Sequence, residues 1–227
     1  MFECEHISVE LVGDKGAFRA VSDVSVPAQE CEIVDIVGPS GAGKSTFLHA
    51  LALLIERTSG TLKLDDKGAE SFSPQEWRRL VALVQQKPVL LEGTIEDNLR
   101  FPWSLKLYKN IQPPSAAELD ALMNRAGLHD IALTRLVSQL SVGQQARVAF
   151  MRTLITHPRV LLLDEVDAAL DAQSTRFIGE LTSDFAREGG IVLRIRHKLD
   201  DNRAAKRLVF NAGVAHLEMI ERGETRD

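Results

Sequence analysis

Short apolar runs alternate with longer stretches in which apolar side chains recur every three or four positions. The short runs predict strands at residues 7–12, 21–26, 31–37, 61–64, 80–84, 160–163 and 191–195. Residues 45–55 place Phe47, Leu48, Leu51 and Leu54 on one stripe and predict a helix. We interpret 160–163 and 191–195 as apolar strands covered on both faces. The alternation predicts an α/β fold with a mainly parallel sheet.

A change in composition follows residue 88. Pro102, Pro113 and Pro114 punctuate this segment, and Ser115 with Glu118 three positions later forms a helix-capping pattern. We predict a helical subdomain at 88–157, inserted into an α/β core formed by 1–87 and 158–227. An antiparallel β subdomain is expected at the N-terminus. The length of 227 residues suits a single domain of this kind.

Composition and charge narrow the function classes. The formal net charge of −5 argues against a general nucleic-acid surface, so no nucleic-acid partner is expected. Cys4 and Cys31 lack metal-ligand spacing and are interpreted as free thiols in a reducing compartment. No run approaches the ~18 apolar residues of a membrane span, and the acidic start does not suit a signal peptide. We expect a soluble, cytoplasmic chain that reaches a membrane only through a partner.

A glycine-rich segment follows the predicted strand at 31–37 and matches G-x-x-x-x-G-K-[ST] in full. It comprises Gly38, Pro39, Ser40, Gly41, Ala42, Gly43, Lys44, Ser45 and Thr46. Glycines let backbone N–H groups approach phosphates, and the following helix adds its positive dipole end. Lys44 would reach the β and γ phosphates of ATP, and the Ser45 hydroxyl would bind Mg²⁺. The order of strand, loop, Lys-Ser and helix disfavours a simple turn that binds nothing.

Two adjacent acids, Asp164 and Glu165, follow the apolar run at 160–163. Carboxylates at the end of a buried strand are costly unless something neutralises them. Mg²⁺ held through Asp164 would do so, and Glu165 would then polarise an attacking water. Alone, the pattern equally suits a strand leaving the core. Together with the phosphate-binding loop, it favours the catalytic interpretation.

The segment LSVGQQ at 140–145 precedes a predicted helix at 146–156. On propensity alone, Ser141 would simply cap that helix. However, the series GPSGAGKST, Gln86, LSVGQQARV, LLLDE, Asp171 and His197 resembles the ATP-binding cassette family in order and spacing. The resemblance covers almost the entire chain, and the LSGGQ-like signature just upstream of LLLDE is specific to that family.

This resemblance implies a P-loop NTPase core of the RecA-like type and a head-to-tail homodimer that buries two ATP molecules. The signature residues would act on the ATP of the opposite subunit, with Ser141 and Gly143 contacting its γ-phosphate. The residues of the signature are Ser141, Val142, Gly143 and Gln144. The helix that follows would direct its N-terminus at the same anion.

The resemblance also assigns roles to single residues. Gln86 would sense Mg²⁺ and water, which makes Ser45, Gln86 and Asp164 the expected metal ligands; the alternative is a polar loop residue. Glu165 matches the general base, and Lys44 completes the catalytic set. Asp171 belongs to the loop that crosses between subunits. His197 matches the histidine that contacts the γ-phosphate and orients Glu165.

Several positions depart from the family pattern. Val142 and Ala168 stand where glycine and serine are usual, and Arg196 and Lys198 flank His197 in place of threonine and aspartate. Residues 9–13 lack the aromatic side chain that normally stacks on adenine. We therefore expect Leu11 or Phe18 to cover the base.

The stretch NLRFPW at 98–103 is similar to small cassettes assigned to iron or metal-ion export, which work with a separate membrane subunit. Phe101 and Trp103, near Gln86, could line a groove for a helix of that subunit. The alternative is that both rings pack inside the helical subdomain.

The leading hypothesis is an ATPase that powers a membrane transporter from the cytoplasmic face, with metal-ion export as the candidate substrate class. A soluble cassette in DNA repair or translation is one alternative. Such proteins usually carry two cassettes or a long coiled-coil insertion, and neither occurs here. A nucleotide-binding regulator with weak hydrolysis, suggested by Val142 and Ala168, is the other.

Overall fold

The computed structural model describes residues 1–14, 16–87, 89–196 and 201–220. Its smaller sheet has the strand order β2-β1-β4-β5 and is antiparallel throughout. The strands are β1 (Phe2–Gly13), β2 (Gly16–Ala28), β4 (Ser59–Leu64) and β5 (Lys67–Gly68). The long β1–β2 hairpin forms where the turn-prone residues at 13–16 separate two apolar runs. The predicted antiparallel β subdomain is therefore confirmed.

The larger sheet has the order β10-β9-β3-β8-β7-β6. Its strands are β3 (Ile33–Val37), β6 (Val81–Val84), β7 (Val160–Asp164), β8 (Ile191–Ile195), β9 (Lys206–Asn211) and β10 (Val214–Met219). All neighbours are parallel except β10, which pairs antiparallel with β9. This confirms the α/β class with a mainly parallel sheet.

Six α-helices occur in the described chain. They are α1 (Lys44–Leu51), α2 (Pro74–Leu80), α3 (Ile95–Arg100), α4 (Ala116–Arg125), α5 (Val142–Leu154) and α6 (Ala172–Arg187). Two differ from the predicted bounds. The helix predicted at 45–55 ends at Leu51, shortly before Leu53 adopts a left-handed φ of 52°. The helix predicted from 146 begins four residues earlier, at Val142, because Ser141 caps it.

Two hydrophobic cores cover the two faces of the larger sheet. Val34, Ile36 and Leu162 face a core shared with α1 and the smaller sheet. Ile33, Leu161 and Leu163 face a second core shared with α3 to α6. This alternation is the period-two pattern of strands covered on both sides.

One sequence interpretation needs correction. The strand at 191–195 is buried on both faces as predicted, but it is not apolar throughout, because Arg194 lies buried within it. Asp35 is likewise buried in β3. Burying charged side chains is costly unless they form ion pairs or hydrogen bonds, and those of Asp35 and Arg194 are described below.

The segment predicted as the helical subdomain contains α3, α4 and α5 in its described part. Helix α5 packs both on α3 and on α6, so it joins this segment to the sheet. The division at 88 and 157 stays a prediction. Among the described residues, none of the helices has the length and apolar character that a bilayer crossing requires.

Candidate nucleotide site

The described candidate residues follow three parallel strands of the larger sheet, β3, β7 and β6. The phosphate-binding loop follows β3, Asp164 and Glu165 come at the end of β7, and Gln86 follows β6. Val84 pairs with Leu163, so Gln86 and Glu165 each lie two residues beyond a paired position. The carboxyl edge of a parallel sheet is where ligands bind in such folds. His197, predicted after β8, lies outside the described residues.

At two positions of the loop, the neighbouring backbone comes so close that only glycine fits. Gly38 and Gly43 have φ of 143° and 101°, conformations that side chains rarely adopt. A Cβ at Gly38 would lie 2.3 Å from the Phe210 carbonyl oxygen, and one at Gly43 would lie 2.3 Å from that of Ala20. The backbones of β9 and β2 therefore pack directly against the loop and leave no space for side chains at these two positions.

Lys44 is buried at the start of α1 and donates hydrogen bonds from Nζ to the carbonyl oxygens of Gly38 (2.9 Å) and Pro39 (2.8 Å). The loop thus holds the ammonium in place before any anion binds. Gly43 is the residue that precedes the helix, and the first turn contains no acidic side chain. Backbone N–H groups, helix dipole and ammonium combine to make this a site for a phosphate chain.

Asp164 lies at the end of β7 and joins it to the phosphate-binding loop. Its Oδ1 accepts a hydrogen bond of 2.9 Å from the Ser45 hydroxyl, and His49 Nε2 lies 3.9 Å from its Oδ2. Burial raises the pKa of Asp164, although the Ser45 hydrogen bond acts in the opposite direction. A half-buried carboxylate next to a hydroxyl is an oxygen-donor pair that suits Mg²⁺.

Glu165 follows Asp164 and begins the turn that leaves β7. Its φ is 50°, a left-handed conformation uncommon for a glutamate, and its carbonyl oxygen accepts from the Ala168 N–H at 3.1 Å. Unfavourable backbone conformations of this kind cluster at functional sites. Gln86 is exposed in the loop after β6.

The signature segment forms the start of α5. Ser141 Oγ accepts from the Gln144 N–H at 3.3 Å, while Gln144 Oε1 accepts from the Ser141 N–H at 2.9 Å. This reciprocal arrangement is a capping box, so the capping role considered for Ser141 is real. Val142 is 62% exposed at the first helical position, so most of its side chain faces solvent in the described structure.

Gly143 and Asp171 have intramolecular contacts that sequence reasoning missed. Asp171 caps α6 by accepting from the Ser174 N–H (2.8 Å) and hydroxyl (2.9 Å), and these hydrogen bonds lower the pKa of Asp171. A Cβ at Gly143 would lie 2.2 Å from Ser174 Oγ and 2.8 Å from Asp171 Oδ2. Glycine at this position therefore lets the start of α5 pack on the start of α6. No signal in the sequence pointed to this contact.

Leu11 and Phe18 are cross-strand partners in the β1–β2 hairpin. Leu11 is half-buried and packs against the first core, whereas Phe18 is 53% exposed and its ring leans over Gly13. Ala20, two residues after Phe18, is the residue that presses on Gly43. Of the two candidates, Phe18 is the exposed aromatic one, two residues from Ala20 on the strand that contacts the loop.

A groove of about 500 Å³ lies beside the loop after β6. Phe101 lines it, together with the exposed apolar side chains of Leu54, Val89, Leu91 and Leu105. Trp103 is not among the residues that line this groove. For this ring, the structure agrees with the alternative of packing inside the helical subdomain. The Trp103 ring packs on Tyr108 at a centroid distance of 5.6 Å, and its Nε1 donates to the Gln112 carbonyl oxygen.

Known proteins with the same features are numerous. The profile of the ABC transporter family matches residues 21–168. The chain is 36% identical to the probable iron export ATP-binding protein FetA of Escherichia coli (strain K12) over 195 residues, which cover 86% of this chain and 85% of FetA. It is 35% identical to the methionine import ATP-binding protein MetN of Histophilus somni (strain 129Pt), covering 92% of this chain and 60% of MetN.

A solved structure described as the ATP-binding subunit of an ABC transporter superposes with a TM-score of 0.81 at 22% identity, covering 97% of this chain and 90% of that one. The fold and the carboxyl-edge site define a P-loop ATPase. With the profile and FetA matches, the chain belongs to the ABC transporter family. It is therefore an ATP-binding cassette with ATPase activity.

Proposed function

We propose that the chain is the subunit whose ATP binding and hydrolysis drive a membrane transporter. The observation that carries this proposal is the Ser45–Asp164 hydrogen bond at the carboxyl edge of the sheet, directly beside the held ammonium of Lys44. A phosphate chain in the loop would meet a cation, a hydroxyl and a carboxylate in one place. The ABC transporter match favours transport over the DNA-repair and translation alternative.

Each part of the site has a proposed role. The loop amides and Lys44 hold the β and γ phosphates, and Ser45 and Asp164 would hold Mg²⁺ with Gln86 near it. Among the described residues, His, Cys, Asp and Glu do not form a metal cluster of three or more. Phosphate and water oxygens would complete the shell, as is usual for Mg²⁺. The ion would neutralise charge on the phosphates.

Glu165 is proposed as the general base that accepts a proton from the attacking water. Its position directly after Asp164, at the carboxyl edge of the sheet, supports this role. His197, by resemblance, would orient this water and contact the γ-phosphate. Phe18 is proposed to cover the adenine, because its exposed ring lies on the strand that contacts the loop.

Two copies are proposed to close head to tail, with the signature of one facing the ATP of the other. The signature residues Ser141 to Gln144 begin α5, and Ser141 and Val142 are exposed to solvent. An exposed helix start is available to bind a phosphate on another subunit. Asp171 lies in the loop proposed to cross at this interface.

The groove beside Gln86 is proposed to receive a helix of the membrane subunit, which would hold the chain at the cytoplasmic face. Its exposed apolar side chains suit such a helix. Arg78, Lys87 and Arg152 supply the charge among the described residues that line it, so the helix would carry acidic residues. Iron ions are the proposed substrate and export the proposed direction, because the match to the probable iron export protein FetA covers 85% of FetA.

Substitution of the groove tests the transporter role. In cells lacking this chain, wild-type protein is expected to restore iron efflux, whereas Phe101→Asp is not, since a charge on a 36% exposed groove residue would block docking. Purified Phe101→Asp should still hydrolyse ATP. Val214→Asp, at a 54% exposed apolar residue of β10, is the matched control and should restore efflux. Efflux by Phe101→Asp at the wild-type rate would refute the docking site.

Asp164→Asn should separate stability from activity. Burial raises the pKa of Asp164 in the folded protein, so its ionised form weakens folding at neutral pH. The stabilisation from the neutral acid is present below the ordinary carboxyl pKa and is lost as pH rises through the raised value. The neutral amide should therefore raise the melting temperature at pH 7 in the absence of nucleotide. Hydrolysis should fall by more than the about 10–100-fold typical of residues that only support a metal ligand.

The melting temperature and the rate of phosphate release measure these two effects. Asp120→Asn, at an exposed acid on α4, is the control and should change neither. A lower melting temperature for Asp164→Asn, or an unchanged rate, would contradict the assignment.

A further inference from the structure

An ion cluster that starts inside the larger sheet connects strands β3 and β8 to the segments that follow β7 and β8. We name Asp35, Asp167, Arg194, Arg196 and Asp201 the strand-end ion cluster. Asp35 and Arg194 are paired across β3 and β8. The period-two pattern of the sheet directs both to the face covered by α5 and α6.

The cluster begins inside the sheet with a fully enclosed arginine. Arg194 Nε donates to Asp35 Oδ1 at 2.6 Å. Its two terminal nitrogens donate to the two oxygens of Asp201, at 2.9 and 2.7 Å. One guanidinium therefore satisfies a carboxylate in the sheet and a second one beyond the strand end, a bidentate geometry that lysine cannot reproduce.

A second arginine extends the cluster to the segment after β7. Arg196 Nη1 lies 2.7 Å from Asp201 Oδ2, and its Nη2 lies 3.3 Å from Asp167 Oδ2. The first contact is one of charge, because Nη1 makes no well-aligned hydrogen bond in the described chain. Arg196 immediately precedes His197, and Asp167 lies two residues after Glu165.

The positive charges of Arg194 and Arg196 favour the ionised form of Asp201. Although burial favours the neutral acid, the hydrogen bonds and positive charge of Arg194, and the charge of Arg196, keep the pKa of Asp201 below its ordinary value. Buried ion pairs add little net stability compared with apolar side chains of the same size. The remaining residues of β3 and β8 are apolar, so stability alone does not account for the cluster.

We propose that Arg196 and Asp167 are positioning residues that tie the segment after β7 to the end of β8 and so fix Glu165 for hydrolysis. The proposal rests on the role of Glu165 as general base given above. Asp167 lies four residues before Asp171, so the same tie acts on both ends of the short segment between Glu165 and α6. A segment held at its middle cannot shift at either end without breaking the ion pair.

Removal of either partner should lower turnover without lowering ATP affinity. We expect Asp167→Asn and Arg196→Gln each to reduce kcat by about 10–100-fold, the effect of a misplaced catalytic group. The dissociation constant for ATP should stay within about twofold, because neither residue belongs to the phosphate-binding loop. The double variant should be no slower than the slower single variant, since the second change finds the tie already broken.

The controls distinguish positioning from folding. The Asp167 side chain is 21% exposed and Asn has its shape, so Asp167→Asn should fold, as the melting temperature would report. A cavity of about 380 Å³ is lined by Asp167, Arg196 and Arg176, among others. Arg176 is paired with Glu180 instead of the cluster, so Arg176→Gln should keep kcat within about twofold of wild type. Asp167→Glu retains the carboxylate and should recover part of the lost kcat.

Two results would overturn the positioning role. One is wild-type kcat in both single variants; the other is losses that multiply in the double variant, which would mean independent effects. Failure of the base assignment looks different. A fully active Glu165→Gln refutes the base, whereas an inactive Glu165→Gln with an active Asp167→Asn refutes the positioning role alone.

Discussion

Glu165→Gln is expected to lower kcat for ATP hydrolysis by about 10²–10⁴-fold, the usual contribution of a general base. Glutamine has the size of glutamate but cannot accept the proton of the attacking water. The left-handed φ of residue 165 and the hydrogen bond from Ala168 to its carbonyl involve only the backbone. The substitution should therefore leave the segment in place.

ATP binding should survive this substitution, because Lys44, Ser45 and Asp164 are unchanged. The variant should consequently accumulate as an ATP-bound dimer, which sedimentation with and without ATP would detect. Phosphate release measures the rate. Glu188→Gln, at an exposed acid of the α6 end paired with Arg125, is the matched control and should behave as wild type. Hydrolysis at the wild-type rate in Glu165→Gln would refute the mechanism.

Weak hydrolysis in the wild-type protein would instead support the regulator alternative, which rested on Val142 and Ala168. The structure weakens one reason for that alternative. Val142 is exposed at the first position of α5 and fits the helix without obstruction. Its side chain would meet only what a second subunit brings to this surface.

Local sequence patterns predicted the elements that carry the site. The loop at 38–43 depends on glycines that can be identified from the sequence alone. Strand β7 ends with Asp164, as the apolar run indicated. Parallel strands bring their carboxyl ends to one edge, so the convergence of Ser45 and Asp164 followed from the fold class. Capping residues such as Ser115 likewise have short-range signals.

Contacts between distant segments could not be predicted in this way. Arg194 and Asp35 are separated by 159 positions, and nothing near either one reveals its partner. The approach of Gly143 to Ser174 depends on how α5 packs on α6. For Trp103 the sequence left two positions open, the groove or the interior of the helical subdomain, and the 3-10 helix Phe101–Ser104 places its ring against Tyr108. Tertiary packing decided all three.

Gly43→Ala should lower the free energy of unfolding by roughly 2–5 kcal/mol in the absence of nucleotide. A left-handed conformation costs an L-residue about 1–2 kcal/mol, and Gly43 has a φ of 101°. The added Cβ would also lie 2.3 Å from the Ala20 carbonyl oxygen, and overpacking of this kind costs about 1–3 kcal/mol. Because β2 is paired to β1 at Val21, the carbonyl cannot move away freely. The loop must shift instead, and ATP binding should be lost with it.

Gly41→Ala separates the two causes within the same loop. Gly41 also has a positive φ, 77°, but a Cβ there would meet no atom of the described residues within 4 Å. Gly41→Ala should therefore lower the free energy of unfolding only by the cost of the backbone strain, about 1–2 kcal/mol. Chemical denaturation of both variants measures the difference. Equal losses would mean that β2 yields to the new methyl group, and that the close approach of Ala20 does not shape the phosphate-binding loop.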